Sequence, residues 1–159
     1  MKKMTTSKLG LQLIKDFEGL RLKAYRCPSG VATIGWGHTK GVKMGQTITE
    51  AQACDYLVED VGPIERLLNI VGVNFRQEQF DALVSWIFNL GAGNFQHSTL
   101  LKKITADASD QEVAAEIVKW IYADNKPLVG LKRRRVSEAN MFVGYELYEL
   151  DKHNNIIRK

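Results

Sequence analysis

The chain places a glutamate, a cysteine and a threonine at positions 18, 27 and 33, inside the stretch EGLRLKAYRCPSGVATIGWGHT. A carboxylic acid that keeps its proton can hand it to a departing oxygen. A second group able to carry negative charge can steady the cation left behind or draw a proton from water, and a hydroxyl can hold that water. Glu18, Cys27 and Thr33 supply these three types in order. Taken singly, each also has an ordinary explanation, as a solvated acid at a helix end, a filler thiol and a strand-forming threonine.

Such groups work only if separate elements bring them together. Ser7 can cap a helix with Leu11, Ile14 and Phe17 on one face, which brings Glu18 to its C-terminal end. The helix dipole there disfavours a carboxylate, and Phe17 and Tyr25 as apolar neighbours would further help Glu18 hold its proton. From Lys23 to His38, Pro28, Gly30, Gly35 and Gly37 punctuate runs that read as about three short antiparallel strands. Cys27 then sits in a strand turn and Thr33 in a strand, both able to face Glu18.

After Gly45 the pattern is helical. Thr47 with Glu50 reads as a capping box, with a kink or break expected near Val61 at Gly62-Pro63. Asn74 with Gln77 opens an almost wholly apolar helix through Phe80, Leu83, Val84, Ile87 and Phe88 that ends at Gly91. Further helices are expected from His97 to Ile104, from the Ser109/Glu112 pair to Tyr122, and from Val129 to Leu147, followed by a polar tail able to fray. The expectation is one α+β domain over residues 1–159: a sheet lobe over about 19–46, a helical lobe over about 64–147 joined by the N-terminal helix, and a tail over 148–159, with a cleft between the lobes.

The 159 residues suit a single domain, and 45% apolar with 25% charged residues is the balance of a globular protein. No run approaches the roughly 20 apolar residues that span a bilayer. Lys15 and Asp16 interrupt the N-terminal apolar run before a signal-peptide core forms, so the chain is expected to be made and kept in a cytoplasm. A net charge of +4 favours polyanionic partners without selecting nucleic acid, membrane or cell wall. The basic run Lys132 to Arg135 reads first as a solvated or ion-paired helix face. Cys54 shares a helical stripe with Leu57, Val58 and Val61 and reads as a buried apolar residue. The three histidines and two cysteines have no metal-ligand spacing, and no cofactor is expected.

Considered whole, Glu-Gly-Leu-Arg-Leu-Lys-x-Tyr followed by Thr-Ile-Gly-x-Gly-His-Thr resembles the signature of the phage-type lysozymes, glycoside hydrolase family 24, the bacteriophage endolysins. Trp86 to Gly91 with Gly93, Phe95, Ser98, Thr99 and Leu100 is similar to that family's central-helix motif. Trp120-Ile121-Tyr122 and Gly130-Leu131 with Arg133, Arg134 and Arg135 resemble its C-terminal lobe. The resemblance spans roughly Ser7 to Tyr145. It implies an α+β lysozyme fold and hydrolysis of the β-1,4 bond between N-acetylmuramic acid and N-acetylglucosamine in peptidoglycan. It further implies action on glycan strands after release from the host cytoplasm through a separate holin pore; a monomer is the default expectation, with no nucleic acid and no stable membrane insertion.

Residue by residue, the resemblance makes Glu18 the general acid and Thr33 the water holder. Cys27 falls at the second-carboxylate position, where the best-known members have Asp. Arg26 and Lys23 could lower the thiol's pKa. Cys27 is then a base or electrostatic partner in an inverting hydrolysis, a covalent nucleophile with retention, or a bystander while Glu18 works alone in the manner of a lytic transglycosylase. Phe88 and Asn89 take cleft-floor positions and Thr39 and Ser98 the rims, with core packing and helix capping as the other readings. One arginine of the basic run is expected to approach Glu18, and His38 to pair with Asp60. Two other functions stay open: a wall-binding domain of impaired chemistry, and membrane disruption by the basic segments.

Overall fold

A computed structural model describes residues 2–159. Helix α1 (Lys8–Glu18) starts at Ser7, whose hydroxyl accepts from Gly10 N and donates to Asp81, and buries Leu13 and Ile14. Gly19 ends it immediately after the acid. Strands β1 (Arg21–Arg26) and β2 (Ala32–Gly35) pair antiparallel, with Tyr25 opposite Thr33 and Arg26 opposite Ala32. The third strand expected up to His38 is instead a tight turn closed by a single bridge between Ile34 and His38, while Thr47 bridges Lys23 on the other edge of β1.

Helix α2 (Glu50–Val71) joins the lobes. Its capping box is Thr49 with Gln52, two residues beyond the expected pair, since Thr47 is taken by the sheet. The expected break at Pro63 does not occur. The helix continues because Pro63 and the carbonyl it leaves unpartnered at Glu59 both fall on exposed positions, while Leu57, Val61 and Leu68 anchor the other face. Cys54 is half-buried rather than fully buried, at the edge of that face where Lys15 Nζ lies 3.5 Å from its sulfur.

Helix α3 (Gln77–Leu90) begins two residues later than expected, where Gln79 Oε1 accepts from Arg76 N, and is buried continuously from Gln79 to Ile87. It forms the centre of the helical lobe against α1, α2 and α7 (Val129–Val143). Between them lie α4 (Ala92–Gln96), α5 (Thr99–Thr105) and α6 (Asp110–Ile117). Helix α6 ends five residues short of Tyr122, which instead enters a small hairpin, β3 (Tyr122–Ala123) with β4 (Lys126–Pro127), turning through Asp124 and Asn125 at positive φ.

Helix α7 stops at Gly144, before the expected Leu147. The segment expected to fray is instead a hairpin of β5 (Tyr148–Leu150) and β6 (Ile156–Arg158). Asn140 fixes it to α7, accepting from Leu147 N and Tyr148 N and donating to Tyr148 O. The result is the expected α+β architecture, a small antiparallel sheet lobe and a larger helical lobe.

Candidate active site

Glu18 sits where the end of α1 meets α7. Arg134 Nη1 donates to its Oε1 at 2.6 Å, an ion pair whose arginine is 4% exposed. Side chains of Phe17, Glu18, Asn89, Leu128, Leu131 and Arg134, with Gly130, line an open trough of about 340 Å³. From the sheet lobe, Gly37 backs onto the acid so closely that a Cβ there would stand 3.7 Å from Glu18 Oε2. Of the two expected apolar neighbours, Phe17 lines the trough but its ring also lies under the Arg134 guanidinium at 5.7 Å, while the Tyr25 ring faces Arg21 at 4.5 Å. Both rings are turned to cations rather than sealing the carboxyl from charge.

Arg134 is held from the other side as well. Its Nε donates to Glu138 Oε2 at 3.2 Å and its Nη2 to Ser85 O at 3.1 Å, while Arg135 Nη2 donates to Asn89 Oδ1 at 2.7 Å. Of the two readings of the basic run, the ion-paired one holds, and Arg134 is the arginine that approaches Glu18 as expected. Lys132 and Arg133 remain partly or fully exposed, but Arg134 and Arg135 turn inward because the fully buried Glu138 balances them.

Cys27 begins the turn that joins β1 to β2. Its N–H donates to Val31 O at 3.0 Å, and Gly30 N returns a bond to its carbonyl at 2.7 Å. With Tyr25 opposite Thr33, this puts Cys27 and Thr33 diagonally on one face of the hairpin. The thiol is lowered to about 7, first by the Ser29 hydroxyl, 2.9 Å from Sγ, then by the Val31 backbone, with a smaller contribution from the Thr33 hydroxyl. Arg26 and Lys23, expected to lower it, do not: Arg26 Nη1 is bound to Gly30 O. Hydrogen bonding to the thiolate, not nearby positive charge, sets its acidity.

Thr33 is buried, and its hydroxyl donates to Val31 O at 2.9 Å, so toward a water it acts as an acceptor. Of the seven residues singled out from sequence, Glu18 and Asn89 share the trough, while Cys27 and Thr33 lie together on the hairpin. Phe88 is half-buried against the core. Thr39 is exposed and its carbonyl accepts from Val42 N. Ser98 is 4% exposed and spent as the cap of α5, accepting from Leu101 N and donating to Phe95 O, which takes it off the rim. His38 Nδ1 meets both Asp60 oxygens at 2.9 Å, as expected.

A family model described as phage lysozyme matches residues 15–138. The endolysin of Acyrthosiphon pisum secondary endosymbiont phage 1 is 42% identical over 144 residues, covering 87% of this chain and 98% of that protein. The chain belongs to the phage lysozyme family. Among solved structures, the endolysin from Escherichia coli O157:H7 phage FAHEc1 is similar at TM-score 0.80 and 38% identity, over 89% of this chain and 95% of that one. The muramidase domain of SpmX from Asticaccaulis excentricus is similar at TM-score 0.81 and 37% identity, over 87% and 97%. As a member of the phage lysozymes the chain is a glycoside hydrolase, an endolysin that hydrolyses peptidoglycan.

Some parts of this phage lysozyme site carried no usable sequence signal. Ser29 looks like a turn residue, and Leu128 and Leu131 look like helix-start hydrophobics. Glu138 is one more acid in a charged helix. Its spacing to Arg134 and Arg135, four and three residues, was the available clue, since i,i+3 and i,i+4 partners share a helix face.

Proposed function

We propose that the chain cleaves the β-1,4 bond between N-acetylmuramic acid and N-acetylglucosamine by single displacement, with Glu18 as general acid and Cys27 as general base. Glu18 gives its proton to the bridging oxygen and the C–O bond breaks. A water accepted by Thr33 Oγ1 gives its proton to the Cys27 thiolate while its oxygen bonds the anomeric carbon from the opposite face. One water is consumed, and solvent returns the proton from Cys27 to Glu18. Asn89, on the trough wall, contacts the sugar, while Phe88 and Thr39 support and border the groove.

The observation that carries this reading is the pairing of Cys27 with Thr33 on one hairpin face, with Ser29 and Val31 arranged to favour the thiolate. A bystander thiol has no use for such partners. The protein acts as a monomer on glycan strands and reaches them from the host cytoplasm after a separate holin opens the membrane. Among the described residues no helix is long and apolar enough to cross a membrane.

Product analysis on purified peptidoglycan tests the mechanism. Reducing muramic acid ends that appear first as the α-anomer are expected. Anhydromuramyl ends would sink hydrolysis in favour of transglycosylation, and a first-formed β-anomer would make Cys27 a nucleophile. Glu18→Gln is expected to abolish wall clearing, and clearing that survived it would return the wall-binding or membrane-active readings.

A further inference from the structure

The ion pair on Glu18 raises a chemical difficulty. A general acid must release its proton to the leaving oxygen, yet Glu18 Oε1 stands 2.6 Å from the Arg134 guanidinium. We infer that Glu138, which touches neither the trough nor any reacting atom, is a positioning residue that divides the charge of Arg134 and so keeps Glu18 able to act as an acid. This rests on the assignment of Glu18 as proton donor.

Every neighbour of Glu138 is a donor. Ser85 Oγ reaches Oε2 at 2.6 Å, Arg134 Nε at 3.2 Å and Arg135 Nη2 at 3.4 Å. Arg135 Nε stands 2.8 Å from Oε1, off the line of a hydrogen bond. Burial raises this carboxyl, and the two arginines and the Ser85 hydroxyl offset only part of that. With two guanidiniums against its oxygens and a hydroxyl donating to one of them, the geometry favours the carboxylate. The cluster then contains two guanidiniums and two carboxylates, and Arg134 faces one carboxylate with Nε and the other with Nη1. Without Glu138 both cations would act on Glu18 alone.

The other groups around Glu18 do not replace it. From α3, Ser85 and Asn89 do not titrate. On α1, Asp16 is exposed, and Lys15 lies over the Trp36 ring at 4.6 Å and against Cys54. From the sheet lobe, Gly37 offers only backbone, His38 is turned to Asp60, and Cys27 is the titrating thiol of the hairpin. Glu138 is therefore the group whose charge opposes Arg134 without joining the chemistry.

The test is the pH profile of peptidoglycan hydrolysis by the full chain with Glu138→Gln. The basic limb, where the acid loses its proton, is expected to move to lower pH by about half a unit or more, with about a threefold loss of kcat on that limb and little change in KM. Glu138→Asp keeps the buried charge and serves if the Gln variant does not fold. Its limb is expected to move the same way by less, because the carboxylate withdraws from Arg134. A basic limb that stays in place while kcat falls equally at all pH values would reduce Glu138 to a structural residue and overturn the inference. Clearing by Glu18→Gln would instead remove the underlying acid assignment, so the two failures are distinguishable.

Discussion

The sulfur of Cys27 and the hydroxyl oxygen of Ser29 lie 2.9 Å apart within a single turn. A donor at that distance favours thiolate over thiol, and it is the first cause of a thiol lowered to about 7. The charged form is then populated above about pH 7 and lost below it. If the thiolate is the base, the acid limb of activity should lie near that value. Ser29→Ala removes the hydroxyl and should move the limb to higher pH, lowering activity at neutral pH. An acid limb indifferent to Ser29 would separate the thiol from the rate.

Substitution at Cys27 itself gives the complementary result. Cys27→Ala should lose roughly 10²-fold or more in kcat, the usual cost of removing an acid-base participant. Cys27→Asp should retain activity and extend it to lower pH, because a carboxylate stays ionised where a thiol does not. Treatment with an alkylating reagent should inactivate the wild type and spare the Asp variant. Full activity in Cys27→Ala would make the cysteine a bystander.

Gly37 couples the sheet lobe to the acid. Its φ of 85° is one that residues with a side chain rarely adopt, and the space beside it belongs to Glu18 Oε2. Gly37→Ala should therefore cost about 1–2 kcal/mol of stability through backbone strain. The added Cβ would meet Glu18 Oε2 at 3.7 Å, an ordinary contact, so the expected loss of kcat, about tenfold at temperatures where the variant remains folded, would come from the strained backbone shifting against the carboxyl. Thermal unfolding and steady-state kinetics separate the two effects. A shifted Tm with unchanged kcat would show that this side of Glu18 is not used.

The parts of the fold that sequence disclosed are those with strong local rules. The cap at Ser7 and the glycine after Glu18 bounded α1, and unbroken hydrophobicity from Phe80 to Ile87 marked the central helix. The failures share a cause, since local signals were outweighed by packing. Pro63 lies in an unbroken helix because its exposed side tolerates a missing bond while Val61 and Leu68 hold the other side. Thr47 lost its capping role to a bridge with Lys23, a partner 24 positions away that no local window contains. In the site, the approach of one arginine of the basic run to Glu18 was legible and is met by Arg134, but the inward turn of Arg135 beside it was not. A charged run reads as solvated or ion-paired alike until a buried Glu138 is placed beside it. Ser98 shows the reverse, a plausible contact residue whose hydroxyl is consumed by a helix end.

The last twelve residues, expected to be loose, should contribute to stability and not to catalysis. Tyr148 packs against the core and is tied to Asn140 by bonds of 2.9 and 3.0 Å. Lys159 N closes the hairpin on Leu147 O at 2.9 Å, and Lys132 Nζ reaches Asn154 O at 2.9 Å. Truncation after Leu147 removes these bonds and uncovers the Tyr148 contact, a loss of about 1–3 kcal/mol when partly buried bonds are each worth about 1 kcal/mol net. For a chain of this size that corresponds to a Tm lower by about 3–10 °C. Glu18, Cys27 and Thr33 are untouched by the cut, so wall clearing at 25 °C should be retained. An unchanged Tm would show that the hairpin forms without supporting α7. Lost clearing in a folded truncation would place part of the substrate surface on the tail.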